Sequence, residues 1–257
     1  MLPFVYTQRM IQQAAENTPA RNKGLTAFPL KVIAIIGMTC NHACHIFWNQ
    51  MPDELFCLLF AFGGLTFPIM AFLLVEGYNH TSNVLRYGQR LLIFALIAQV
   101  PYGLFLSNQM NVLFTLFVCL VLLYAYDHMR SRPLFWAMYV VVTLLTVYCD
   151  WGVLAPCMVM TLRLMEGRKN RAAASALFPV CANGLPMLTQ FAEVPTLRNL
   201  ALALYPLVGC MLTIPLLGAY NGARGRSMKW FFYAYYPAHI AVLGLAKGLI
   251  FGDWGIS

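Results

Sequence analysis

A chain of 257 residues that is 60% apolar and only 10% charged lies far from the half-apolar, quarter-charged average of globular domains, which excludes water as its main solvent. Its formal charge of +8 does not point to nucleic acid, because the positive residues fall in loops between apolar runs. Eight cysteines scattered through those runs lack metal or redox spacing, so no metal site is expected and they read as small packing residues.

Residues 1–27 are polar, broken by Pro3, Pro19 and Gly24, and lack the apolar core of a secretory signal. A cytoplasmic N-terminal segment without a cleaved leader is expected there, followed by a single transmembrane domain over 28–257. Apolar runs stand at 28–48, 55–75, 90–106, 111–126, 134–148, 151–165, 173–191, 199–219 and 229–250. In hydrocarbon each backbone N–H and C=O must be paired within its own segment, so these runs are read as helices. The expected fold class is therefore all-α, a polytopic integral membrane helix bundle with about nine transmembrane helices. The fifth and sixth runs are short and separated only by Cys149, Asp150, Trp151 and Gly152, so one of them is expected to tilt or re-enter. No internal repeat is visible, which weakens a transporter reading.

Alternate loops differ sharply in Lys and Arg. One set holds Arg9, Arg21, Lys23 and Lys31, then Arg86 and Arg90, Arg130 and Arg132, Arg163, Arg168, Lys169 and Arg171, and finally Arg224, Arg226 and Lys229. The other offers only Arg198, with Lys247 expected to snorkel to the interface from the last span. The positive-inside rule then puts the N-terminus in the cytoplasm and the C-terminus outside; a bacterial inner membrane, with the C-terminus in the periplasm, is the expected location.

An ionisable group within a span costs a few kcal/mol, so each is a functional candidate by default. In the first span, Asn41, His42 and His45 share i,i+3 and i,i+4 spacings, and His42 lies about 16 Å of helical rise beyond Lys31. An imidazole at that depth suits a general base, since its pKa lies near neutrality; the bland alternative is hydrogen bonding between helices. The second conspicuous stretch runs from Phe67-Pro68 through Glu76-Gly77 to His80, Thr81, Arg86, Tyr87 and Arg90. Arg86 and Arg90, one turn apart, present two guanidiniums to an anion, or else serve as ordinary flanking charge. Gln99, Asn111, Thr115 and Asp150 are further polar residues without a specific pattern. In the last span Tyr235-Tyr236-Pro237-Ala238-His239 places His239 near mid-depth, just after a proline that frees a backbone carbonyl.

Several of these segments, in this order, resemble the TraX family: Met38 to His42, Phe67-Pro68 through Glu76-Gly77, His80-Thr81-Ser82-Asn83, Arg86-Tyr87, Arg90-Leu91-Leu92, Pro101-Tyr102 and Tyr236-Pro237-Ala238-His239. The resemblance covers nearly the whole chain and extends to wider multispanning acyltransferases. It implies an acetyltransferase that takes acetyl from cytoplasmic acetyl-CoA to an amine, the N-terminus of a pilin or fimbrial subunit foremost, with a small amine or envelope glycan as the alternative. It also implies a catalytic group of His42, Asn41, His45 and His239, and a CoA-binding group of Glu76, His80, Arg86, Arg90 and Tyr236. Asn41 stands where the family usually has an aspartate, and Gly64-Leu65 where it usually has Gly-Arg. The competing class is a non-catalytic pilus or fimbrial assembly factor, or a small-molecule transporter using the histidines as a proton relay.

Overall fold

The computed structural model describes residues 24–255. Most of the expected cytoplasmic segment, with Arg9, Arg21 and Lys23, and the last two residues lie outside the described residues. The rest is helical, with only two isolated β-bridges among the described residues. The helices are α1 (Ala27–Ile46), α2 (Asp53–Gly63), α3 (Thr66–His80), α4 (Val84–Phe105), α5 (Val112–His128) and α6 (Arg132–Leu145), the last extended by a 3₁₀ turn at Thr146–Tyr148. They continue as α7 (Leu154–Leu164), α8 (Arg171–Glu193, interrupted by a π-helical turn at Val180–Gly184), α9 (Leu197–Gly218) and α10 (Lys229–Phe251). Every apolar run of the sequence falls on these helices, the run at 55–75 on two of them. Six stretches are long and apolar enough to cross a membrane: α1, α2 with α3, α4, α8, α9 and α10. The apolar helices α5, α6 and α7 are shorter. Leu58, Val100, Val242 and Leu249 turn outward, as suits a chain solvated by lipid, while Leu30, Phe67, Ile69, Leu123, Met158 and Ile240 fill the interior.

One expected span is broken. The run at 55–75 extends over Asp53–His80 and divides at Gly64-Leu65, where the backbone bonds tighten to Gly64 N–H on Ala61 and Leu65 N–H on Phe62. Two features allow this. Pro68 cannot donate back to the Gly64 carbonyl, and Gly64 lies against α9 so closely that a Cβ on it would stand 2.0 Å from the Tyr205 carbonyl oxygen. From the other side, a Cβ on Gly209 would stand 2.3 Å from the Gly64 carbonyl carbon. Apolar burial does not drive helices together in lipid, so backbone contact between small residues is what packs α2 and α3 against α9.

The two ends of the bundle differ in charge. At the basic end, Asp127, Glu166 and Glu76 are each paired: Arg163 bridges Asp127 at 2.9 Å and also reaches Glu166, Tyr78 donates to Asp127 at 2.8 Å, and Arg171 bridges Glu76 at 2.8 Å. At the opposite end Arg198 donates to the Asp53 carboxylate at 2.8 Å and to the Trp48 and Met51 carbonyls at 2.7 and 3.0 Å, with its guanidinium over the Trp48 and Phe56 rings. Lys247 does not snorkel outward. The chain turns back at Gly252, whose φ of 69° is left-handed, and brings Asp253 to 3.0 Å from the ammonium, which is 1% exposed. Trp254 then covers Gly248.

Candidate functional site

A cavity of about 720 Å³ runs through the bundle between α1, α3, α4, α5 and α10. Its basic end is ringed by Lys31, Arg86, Arg90, Arg224 and Lys229, and none of the five forms an ion pair among the described residues. Lys31 lies within electrostatic reach of Arg224 and 5.6 Å above the Phe232 ring, and Arg90 stands 5.7 Å from the Tyr87 ring. Asn83 caps α4 by accepting from the Arg86 N–H at 2.8 Å, which fixes the turn that presents both arginines. Cations gathered without counter-charges form an electrostatic seat for an anion, and guanidiniums beside aromatic faces suit phosphate and a planar ring.

Glu76 and His80 line the same mouth, but their local bonds lead elsewhere. The Glu76 carboxylate is taken by Arg171, and a His80 ring nitrogen meets the Glu76 carbonyl at 2.8 Å. The sequence reading thus placed Glu76, His80, Arg86, Arg90 and Tyr236 on one cavity. Lys31, Arg224 and Lys229 join them; in sequence these three are indistinguishable from ordinary loop charges.

Deeper in the cavity lies His42, about 22 Å of helical rise from the start of α1. Its Nδ1 is 2.7 Å from His239 Nε2, and the rings lie parallel within 6° with centroids 4.9 Å apart. His239 Nδ1 is 2.8 Å from the Tyr235 carbonyl, which can only accept, so this nitrogen carries hydrogen. In the neutral pair His239 Nε2 is then an acceptor, and it takes the proton-bearing Nδ1 of His42. The His42 Nε2 is left with its lone pair free, and His42, unlike His239, lines the cavity. Tyr235 stacks on the far face of His239 and shares a 2.8 Å hydrogen bond with Thr39, tying α10 to α1; Tyr236 meets the His42 ring edge to face at 5.9 Å.

Asn41 also faces the cavity. A Cβ on Gly63 would stand 2.8 Å from the Asn41 Cβ, so the bare glycine lets α1 and α2 close with the amide held between them. The Asn41 Nδ2 finds no acceptor among the described residues. The Asn41 amide forms no hydrogen bond with His42, whose partner is His239 from 197 residues away. His45 is outside the group: its ring is exposed, packs edge to face on Phe60 at 5.4 Å, and does not line the cavity.

The turn between α6 and α7 lines the end of the cavity away from the cations. Asp150 and Trp151 line it, with Trp151 stacked on Phe67 at 4.3 Å. Trp151 has a φ of 61°, unusual for a bulky side chain. The polar residues that looked unspecific in sequence hold this turn. Asn111 donates to Ala95 and Gln99 at 2.8 Å, Met110 accepts from the Asp150 N–H at 2.8 Å, and Thr115 donates to the Asp150 carbonyl at 2.6 Å.

The family described as TraX protein matches residues 28–247. A protein of Dichelobacter nodosus described as "Probable fimbrial assembly protein FimC, serogroup H1" is 33% identical over 243 residues, which is 89% of this chain and 98% of that protein. No solved structure matches.

Proposed function

The chain belongs to the TraX family, and on that premise we propose that it is an acetyltransferase of a bacterial inner membrane, carrying acetyl from cytoplasmic acetyl-CoA to an amine, foremost that of a pilin or fimbrial subunit. In this reading the nine apolar segments lie in the bilayer as spans, α2 with α3 counting as one and one of the short α6 and α7 tilted or re-entrant. The cationic mouth lies in the cytoplasm with the N-terminus, a placement that the lysine and arginine asymmetry supports, and the C-terminus is periplasmic.

The observation that carries the proposal is the cavity itself: at one end cations without counter-charges among the described residues and, deeper, a histidine held by a second histidine, its other ring nitrogen without a partner among those residues. Arg86, Arg90, Arg224, Lys31 and Lys229 hold the phosphates of acetyl-CoA, and the thioester arm extends inward along α1. The amine nitrogen attacks the thioester carbonyl while His42 Nε2 takes its proton. The C–N bond forms, the oxyanion is met by the Asn41 amide N–H, and the C–S bond breaks as His42 returns the proton to the CoA sulfur. His239 supports the imidazolium by accepting from Nδ1–H, the part a carboxylate plays in other histidine bases. Such a base contributes about 10²–10⁴-fold to rate.

The test is to reconstitute the full chain in nanodiscs with acetyl-CoA and candidate fimbrial subunits and to weigh the intact subunit. Gain of one acetyl mass that disappears in His42→Gln is expected. The name of the Dichelobacter relative favours a second reading, a fimbrial assembly factor without catalysis. Fimbriae that assemble normally with His42→Gln and carry no acetyl would establish that one instead.

A further inference from the structure

The cavity is electrically lopsided, and the proposed chemistry has used only one pole. Its mouth carries five cations; its far end carries one carboxylate, Asp150. The other acid on its wall, Glu76, is neutralised by Arg171. Asp150 has no such partner: no lysine, arginine or histidine pairs with it among the described residues. The N–H of the adjacent Trp151 lies against its carboxylate. Around it stand Tyr102, Tyr205 and Tyr236, each within reach of its charge, and Tyr236 in turn touches the His42 ring.

A carboxylate on the wall of a cavity within a helix bundle, with no counter-ion among the described residues, is costly, and the chain invests further in keeping it there. The turn that presents Asp150 holds Trp151 at a φ of 61° and is anchored through its backbone to Met110 and Thr115. Backbone strain of this kind persists only where the surroundings enforce it. A turn needed only to reverse the chain would be satisfied by an uncharged residue.

We propose that Asp150 is the acceptor-binding residue, taking the incoming group as a primary ammonium at the end of the cavity opposite the cationic mouth, so that the protein selects amines over alcohols. This rests on the acetyl-transfer reading above. The two substrates then enter a cavity whose poles match them, the anionic donor at the lysine and arginine ring and the cationic acceptor at Asp150, with His42 between. Transfer to an ammonium frees two protons from its nitrogen. One passes to water as the amine is drawn from Asp150 toward His42; the other goes through His42 to the CoA sulfur, leaving an amide, free CoA and one released proton.

The probes are phenylalaninamide and 3-phenyllactamide, isosteres that differ only in an ammonium or a hydroxyl on the α-carbon. Their affinities for the full chain in detergent are measured below the amine's pKa, along with that of acetyl-CoA. The wild type is expected to prefer the ammonium by about tenfold or more, the strength of one charge-assisted hydrogen bond. Asp150→Asn should bring the ratio close to one, Asp150→Glu should retain part of it, and acetyl-CoA affinity should stay within twofold in both. A wild type without preference for the ammonium, or an Asp150→Asn protein that keeps it, overturns the proposal. The underlying reading fails separately: a chain that discriminates the two probes through Asp150 yet does not bind acetyl-CoA has an ammonium site but is not the proposed transferase.

Discussion

The two ends of the bundle use the same residue types for opposite purposes. At the end built by Asp53, Trp48 and the chain beyond α10, Arg198 and Lys247 are met by the protein's own groups: a carboxylate, two carbonyls and two aromatic faces for one, Asp253 and the Gly255 carbonyl for the other. At the basic end, Lys31, Arg86, Arg90, Arg224 and Lys229 face a cavity with no acid answering them among the described residues. A cation satisfied within the chain is architecture, whereas cations left facing an opening imply that an anion arrives from outside. The histidines of α1 repeat the contrast. His42 is buried on the cavity with its orientation fixed by His239, and His45, one turn on, packs on Phe60 at the surface.

The histidine contrast yields the largest expected effect. His42→Gln should lower acetyl transfer by at least about 10²-fold, while His45→Gln changes it less than threefold; CoA thiol release in nanodiscs measures both. Equal losses would erase the distinction between the two rings. His239→Ala should cost roughly tenfold to hundredfold, the usual range for a group that orients another's imidazole.

Next in size is the contrast between the cation groups. Reversing charge at Arg86 and Arg224 together should raise the KM for acetyl-CoA by at least about tenfold, since each reversal replaces attraction to a phosphate by repulsion. The melting temperature should hardly move. Arg198→Met should do the converse, leaving KM unchanged and costing about 1–2 kcal/mol of stability, mainly because the Trp48 and Met51 carbonyls lose a charged donor. A KM effect from Arg198, or a large loss of stability from Arg86, would collapse the comparison. Gly209→Leu probes the frame that carries both ends. It forces a side chain into the Gly64 backbone and should destabilise by about 1–3 kcal/mol.

Much of this was legible in the sequence because lipid allows few solutions. Apolar runs in hydrocarbon must be helices, and each run is helical, the one at 55–75 divided between α2 and α3. Contacts between distant helices were not legible. Residue pattern marks Gly64 and Pro68 as places where a helix can break, but only Gly209, far along the chain, explains why it does. His42 and His239 each stood out alone as polar groups in apolar runs, and nothing in their spacing reveals that they touch. His45 was grouped with His42 because residues three apart on a helix differ by only about 60° in direction; here that angle separates the cavity from the outer surface. Topogenic lysines and ligand-binding lysines look identical in sequence, which hid Lys31 and Lys229. Lys247 was expected at the interface because its partner depends on a chain reversal at Gly252 that brings Asp253 back over it.

That reversal supports the smallest and most specific prediction. Asp253 lies beyond the last helix, and the hydrogen bond from Lys247 holds its carboxyl below the usual carboxylate range. A depressed carboxyl contributes stability that is present above its unfolded value, about 3.9, and is lost as pH falls through the folded value. Asp253→Asn should therefore melt slightly below wild type at neutral pH, and the two curves should converge as pH is lowered from about 5 to about 3. Tryptophan fluorescence suits the measurement because Trp254 sits on Gly248 beside this pair. A gap between wild type and variant that does not change with pH would mean that Asp253 acts through packing alone. The Lys247 ammonium would then depend on the Gly255 carbonyl at 3.0 Å, and the opposite end of the bundle would owe less to matched charge than the comparison holds.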